Sequence, residues 1–309
     1  MKNLGIMTAV ISPMLADGVT VNEKALTAIL EDQISKGAGS LLLLGGTGEN
    51  TAVPKAARTK ILELAVKVID HRVPVIAGVV ELGVYEAIES AKAAKAAGAD
   101  MILVAPPFGR ATTVQGCVDY FKVIDDAVDM PILIYNFPGR FGDNGYGTNP
   151  DTVGALIEAV PNVIGIKECS GKLDQTAELI ARFGDKIQVL SGNEYLAAWE
   201  MLCGAKGAVL ASSNVLPGEW FAIYEAAQAG DAAKVTELGC RYQKLQRLLF
   251  KSQNPGPVKY AMTLQGFEAG LPLMPCAEAP EGVKAEVKAP ESNGHRIAIV
   301  GSGPASLTC

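Results

Sequence analysis

The most reactive group in the sequence is a lysine inside an apolar, strand-like segment, VIGIKECS at 163–170. Period-two alternation places Lys167 on one face of that strand with Val163, Gly165 and Cys169, and the small neighbours leave room for a ligand. Burial disfavours the charged form of an amine, so we predict a pKa for Lys167 below the usual value of about 10.4. The neutral amine attacks carbonyl groups, and the pattern therefore predicts Schiff-base chemistry.

A second group, Tyr135, lies near the end of the preceding strand-like segment, PILIYNF at 131–137. The two strands would be neighbours in a parallel sheet, so we predict that the tyrosine hydroxyl reaches the lysine nitrogen and moves protons. Each side chain also has an alternative role that is purely structural. In that case Lys167 would form an ion pair with Glu49 or Glu168, and Tyr135 would pack in the core and form one hydrogen bond.

Histidine is scarce, because the chain holds only two, His71 and His295. His71 precedes a predicted strand, at the face opposite the expected site, and His295 lies in the last segment. A metal-dependent aldolase with histidine ligands, or a Ser-His-Asp hydrolase, therefore lacks its residues. We expect no metal and no cofactor, because a covalent imine at the lysine would activate the substrate instead.

Groups suited to carboxylates lie at other strand ends. The loop GGTG at 45–48, with Gly46 and Thr47 at its centre, offers backbone N–H groups and one hydroxyl as a cradle for a carboxylate. Arg140 offers a planar guanidinium for a second carboxylate. Neither the loop nor the arginine is specific evidence alone. Taken together with Lys167, they predict a small-molecule 2-oxo acid and an aldehyde as substrates.

These residues need a scaffold that gathers several strand ends. Short apolar segments alternate with alanine-rich amphipathic ones, as in a parallel sheet covered on both faces. The predicted strands are 5–10, 40–45, 73–79, 100–106, 131–137, 163–169, 187–192 and 207–212. The predicted helices are 22–36, 54–69, 85–97, 114–128, 151–160, 174–183, 194–203 and 218–229. We predict an α/β fold, a (β/α)8 TIM barrel over 1–230. A doubly wound open sheet would need a glycine-rich turn after its first strand, where this chain has Ser-Pro-Met.

The remaining segments differ in composition. The sequence of residues 231–275 predicts a C-terminal helical extension, which is interrupted at the NPGP sequence at 254–257. Residues 276–294 are rich in Ala, Glu, Lys and Pro and predict a linker. The segment HRIAIVGSGPASLTC at 295–309 resembles the first strand and turn of a glutamate-synthase small-subunit-like oxidoreductase, so we expect the truncated start of a dinucleotide-binding domain without bound flavin.

Overall composition limits partners and location. The chain has 309 residues with a net charge of -6, which favours neither nucleic acid nor an anionic membrane surface. The six cysteines form no CxxC pair, and neither a signal peptide nor a long apolar run is evident. We therefore predict a cytoplasmic enzyme.

The motifs together resemble the dihydrodipicolinate synthase and N-acetylneuraminate lyase family of pyruvate-dependent class I aldolases. The resemblance runs from about residue 5 to residue 273. The matching segments are GGTGEN (45–50), YNFPGRFG (135–142), GIKECSG (165–171), SGNE (191–194) and NPGPVK (254–259).

This resemblance implies a catalytic pair, with a pyruvate Schiff base at Lys167 and proton transfer by Tyr135. It also implies a homotetramer or a dimer. The substrate-binding residues that it implies are Gly46, Thr47, Arg140, Gly192 and Val209.

Two departures from the family bear on the substrate. Synthase members usually carry a threonine where this chain has Gly46, and a tyrosine where it has Phe108. The GGTGE form is more similar to members that act on keto-deoxy sugar acids. We expect a lyase that joins or splits a carbon–carbon bond between a 2-oxo acid such as pyruvate and an aldehyde. The alternatives are the family's lysine-biosynthesis synthase, a keto-deoxy sugar acid aldolase or dehydratase, and a non-catalytic barrel partner of a fused reductase beyond residue 309.

Overall fold

The computed structural model describes residues 3–109, 112–141 and 149–287. Eight parallel strands close into a barrel in chain order, which confirms the predicted (β/α)8 fold. The strands are β1 (Gly5–Ala9), β2 (Ser40–Leu43), β3 (Val75–Val79), β4 (Met101–Val104), β5 (Ile132–Asn136), β6 (Val163–Glu168), β7 (Gln188–Ser191) and β8 (Gly207–Leu210). The helices up to the end of the barrel are α1 (Glu23–Ser35), α2 (Lys55–Ile69), α3 (Val84–Ala97), α4 (Val114–Val128), α5 (Pro138–Phe141), α6 (Pro150–Ala159), α7 (Leu173–Phe183), α8 (Ala197–Leu202) and α9 (Pro217–Gln228). Within the described ranges, no helix is long and apolar enough to cross a membrane.

Three further helices follow the barrel. α10 (Ala232–Leu249) and α11 (Gly256–Leu264) form the predicted extension, and α12 (Glu281–Glu286) lies in the predicted linker. Ala279, Val283 and Val287 are buried in the main core cluster, so the described part of the linker packs onto the extension. The boundaries at 230, 275 and 294 stay predictions, and the dinucleotide-binding start at 295–309 lies outside the described residues.

Each strand contributes to two apolar layers. In β5, Leu133 and Tyr135 belong to the cluster inside the barrel, whereas Ile132 and Ile134 belong to the cluster between the strands and the helices. This division follows from the period-two geometry of a strand. It explains why the strand segments are apolar throughout.

The alternation predicted for β6 is interrupted near the start of the strand. Ile132 pairs with Val163, but the next residue, Leu133, pairs with Gly165, because the register shifts at this point. Val163 therefore packs in the outer cluster, and its predicted place on the face of Lys167 is wrong. From Gly165 onward the alternation holds, and it carries Lys167 into the barrel.

Candidate active site

Lys167 and Tyr135 lie side by side at the carboxyl ends of neighbouring strands. They are register partners across β5 and β6, and both are buried. The Lys167 Nζ atom lies 4.5 Å from the centroid of the Tyr135 ring. Barrel enzymes place their reactive groups at this end of the strands.

The pKa of Lys167 is shifted in the direction opposite to the sequence prediction. Burial, the largest influence, lowers this pKa, whereas the electrostatic effects of Tyr135, Cys169 and Glu194 and a hydrogen bond with Tyr135 raise it. The balance leaves the pKa of Lys167 above its ordinary value, so the predicted lowering is wrong. The amine must therefore lose a proton before it can attack a carbonyl, and Tyr135 faces it.

Neither carboxylate considered as an ion-pair partner is directed to Lys167. The carboxylate of Glu49 lies 2.6 Å from the Nζ atom of Lys259. The carboxylate of Glu168 accepts a hydrogen bond of 2.7 Å from the side-chain amide of Asn136. The ion-pair alternative for Lys167 is therefore wrong.

Glu194 is a buried acid near the lysine to which the sequence assigns no role. Its carboxylate accepts hydrogen bonds from the N–H of Ala211, at 2.6 Å, and from the hydroxyl of Ser212. Burial, the largest influence, raises the pKa of Glu194 above its ordinary value, although these hydrogen bonds lower it. Its one sequence signal is the SGNE segment that follows β7.

Gly46 brings the loop after β2 against the hydroxyl of Tyr135. A side-chain Cβ atom at this position would lie 3.0 Å from the tyrosine oxygen and would overlap the guanidinium of Arg140. The missing side chain thus provides the space in which Arg140, from α5, approaches Tyr135. The structure joins three predicted site residues here.

Thr47 follows in the same loop and is 4% exposed. Its hydroxyl oxygen accepts a hydrogen bond of 2.9 Å from the side-chain amide of Asn254, which precedes α11. Asn254 belongs to the NPGPVK segment, but no sequence pattern connects it with Thr47. The two residues are 207 positions apart, and local patterns carry no information on such a contact.

Gly192 lies beside the lysine on β7's side of the site. A Cβ atom there would overlap the Sγ atom of Cys169 and lie 3.0 Å from Cγ of Lys167. The N–H of Gly192 donates to the carbonyl of Glu168 at 2.6 Å, and the missing side chain lets Cys169 and Lys167 pack close to this backbone. Val209 belongs to the same interior cluster as Tyr135 and Cys169, deeper in the barrel wall.

Within the described residues, acidic, thiol and imidazole groups do not gather into a cation site. Among the residues that the structure describes, no group of three or more His, Cys, Asp or Glu side chains is placed to hold a metal ion. The predicted dependence on a covalent imine alone stays a prediction.

Comparison with known proteins identifies the relatives of this barrel. The curated relatives include the 4-hydroxy-tetrahydrodipicolinate synthase of Geotalea uraniireducens (strain Rf4), 36% identical over 278 residues, covering 89% of this chain and 94% of the relative. The synthase of Geobacter sulfurreducens is 35% identical over 288 residues, covering 92% and 96%.

Solved structures agree. Dihydrodipicolinate synthase from Aquifex aeolicus matches with a TM-score of 0.86 and 31% identity, covering 91% of this chain and 94% of that one. The Acinetobacter baumannii enzyme complexed with pyruvate matches with a TM-score of 0.86 and 32% identity, covering 91% and 95%. The model of the dihydrodipicolinate synthetase family matches residues 2–290. The resemblance seen in the motifs is thus confirmed, and this chain is a lyase that belongs to the dihydrodipicolinate synthetase family.

Proposed function

We propose that Lys167 forms a Schiff base with pyruvate or a closely related 2-oxo acid. The observation that supports this is the buried amine facing Tyr135, with the Gly46 loop against the same tyrosine. The loop at Gly46 and Thr47 binds the carboxylate of the 2-oxo acid, and the backbone near Gly192 and Val209 helps to close the pocket. The A. baumannii relative solved with pyruvate supports this choice of keto acid.

The reaction follows from these positions. Nζ of Lys167, after losing its proton, attacks the ketone carbon, and the ketone oxygen takes up a proton carried by Tyr135. Loss of water gives an iminium, which accepts the electron pair of a C3–H bond and becomes an enamine, while the C3 proton passes to Tyr135. The enamine carbon then attacks an aldehyde, whose oxygen takes up that proton from Tyr135 as the new carbon–carbon bond forms. One water molecule later hydrolyses the iminium and releases the product from Lys167. The reverse sequence cleaves the same bond.

We propose that the aldehyde carries its own carboxylate. Arg140 approaches Tyr135 through the space at Gly46 and offers a fork suited to a carboxylate. The names of the relatives favour the activity of 4-hydroxy-tetrahydrodipicolinate synthase. The absence of a threonine hydroxyl at Gly46 favours a second candidate, an aldolase or dehydratase for keto-deoxy sugar acids. Assays of pyruvate with aspartate semialdehyde, glyoxylate and sugar aldehydes separate the two, and pyruvate binding without turnover on any aldehyde would favour the non-catalytic alternative.

Borohydride trapping tests the Schiff base. Reduction in the presence of pyruvate fixes the imine as a stable adduct, and we expect peptide mass spectrometry to locate it at Lys167. Lys186→Ala, at an exposed lysine before β7, is the matched control and keeps the adduct. Absence of an adduct, together with full activity of Lys167→Ala, would falsify the proposal.

We also propose that the protein is cytoplasmic and assembles as a homotetramer or a dimer. The family resemblance supports the assembly, and the cysteine usage supports the location. Sedimentation analysis of the purified chain measures the assembly, and a monomer at working concentration would contradict it.

A further inference from the structure

The extension beyond the barrel contacts the loop that carries Thr47. Asn254 lies between α10 and α11, outside the eight βα units, yet its Nδ2 atom donates to the hydroxyl oxygen of Thr47 at 2.9 Å. Thr47 sits directly after Gly46, where a Cβ atom would lie 3.0 Å from the Tyr135 hydroxyl. The extension therefore touches the part of the site assigned above to the carboxylate of the 2-oxo acid.

The direction of this hydrogen bond has a chemical consequence. A threonine hydroxyl has one proton, and an oxygen that accepts from an amide keeps that proton for another acceptor. The amide also polarises the hydroxyl, which strengthens the bond that the hydroxyl donates. We propose that Asn254 is a positioning residue, which holds the Thr47 hydroxyl as a donor to the carboxylate of the 2-oxo acid. The inference rests on the proposed function.

The loop and the extension are tied together strongly enough to fix this geometry. Glu49 follows Thr47 in the loop with a φ of 54°, a left-handed conformation unusual for glutamate. Its carboxylate is paired at 2.6 Å with Lys259, and the two side chains are 2% and 1% exposed. The N–H of Leu273 donates to the same carboxylate at 2.5 Å, and Lys259 donates to the carbonyl of Ser12 at 3.0 Å.

Within the described residues, the rest of the Asn254 side chain makes no hydrogen bond that competes with the one to Thr47. Its Oδ1 atom is buried and has no hydrogen-bond partner among the residues that the structure describes. The bond to Thr47 is the one side-chain hydrogen bond that this amide makes within the described residues.

Substitution by aspartate reverses the hydrogen bond and so tests the proposal. A carboxylate at this position accepts, so Asn254→Asp takes the Thr47 proton away from the substrate. We expect the KM for pyruvate to rise about 10- to 100-fold in Asn254→Asp, and less in Asn254→Ala, with kcat changed less than about threefold. Gln253→Glu adds the same charge on the neighbouring exposed residue and is expected to leave KM unchanged.

A double-mutant cycle with Thr47→Val separates positioning from a general loss of structure. If Asn254 acts through Thr47, Asn254→Asp adds no further rise in KM to a protein that already carries Thr47→Val. Additive effects, or an unchanged KM in Asn254→Asp, would overturn the inference while borohydride trapping in the unmodified protein still supported the Schiff base. Failure of the unmodified protein to trap any 2-oxo acid overturns both.

Discussion

The lysine amine is surrounded by groups that favour its protonated form. Tyr135, Cys169 and Glu194 together outweigh the effect of burial, and the pKa of Lys167 lies above its ordinary value. A site of this kind depends on moving a proton off the amine at the time of attack, which assigns Tyr135 a larger role than packing.

This raised pKa predicts how Schiff-base formation depends on pH. Below the pKa of an amine, its neutral fraction grows about tenfold per pH unit. We therefore expect the rate of imine formation with pyruvate to rise steadily from about pH 6 to about pH 9. Rapid mixing with borohydride quenching measures this rate. A plateau near neutral pH would instead indicate an amine with a depressed pKa.

Gly46 is a second residue whose role is testable on its own. Gly46→Thr restores the residue usual in synthase members, but its side chain would meet the Arg140 guanidinium and the Tyr135 hydroxyl. Overpacking of this kind costs about 1–3 kcal/mol, so we expect kcat/KM for the carboxylate-bearing aldehyde to fall about 10- to 100-fold. Gly218→Thr is the control, since a Cβ atom there meets nothing within 4 Å. Undiminished turnover in Gly46→Thr would mean that Arg140 does not need this space.

At the scale of the elements, local patterns predicted the strands well, because each strand carries its own burial pattern. The segment at 5–10 corresponds to Gly5–Ala9, and the helix at 54–69 to Lys55–Ile69. The register between two strands cannot be predicted from the sequence of either strand alone. Because the register shifts beside Ile132, the predicted orientation of Val163 was wrong.

Contacts between distant elements were equally out of reach of the sequence patterns. Glu49 and Lys259 each looked like an ordinary charged residue of a motif, and only the fold brings their side chains together. The same holds for Thr47 and Asn254. The sequence therefore predicted that Lys167 and Tyr135 lie on adjacent strands, but it did not predict the contacts between the extension and the loop.

The buried pair between the β2 loop and α11 predicts a large stability effect. Lys259→Met leaves the carboxylate of Glu49 buried without its partner, which typically costs about 3–5 kcal/mol. We expect urea unfolding to show a loss of that size, much of it recovered when Glu49→Gln is combined with Lys259→Met. Arg241→Ala breaks an exposed pair with Glu237 and should leave the unfolding midpoint unchanged. Wild-type stability of Lys259→Met would show that the pair does not hold the loop.

On the scale of the whole molecule, the barrel and the extension form one packing unit. The main core cluster runs from Ile6 in β1 to Val287 after α12. Lys251, which follows α10, also pairs with Glu286 of α12 at 2.8 Å. We therefore expect the part of the chain needed for stability to reach beyond the predicted boundary at 275.

Two truncations locate the end of this unit. A chain ending at residue 287 keeps every contact described for the site, so we expect it to trap pyruvate at Lys167 and to unfold at the wild-type midpoint. A chain ending at residue 275 loses the buried side chains of Ala279, Val283 and Val287. Each fully buried valine contributes about 1.5–3 kcal/mol, so thermal unfolding of this shorter chain should begin at a clearly lower temperature. Equal unfolding midpoints for the two truncated chains would support a linker that begins at residue 276. Loss of pyruvate trapping in the chain that ends at residue 287 would assign part of the site to residues 288–309.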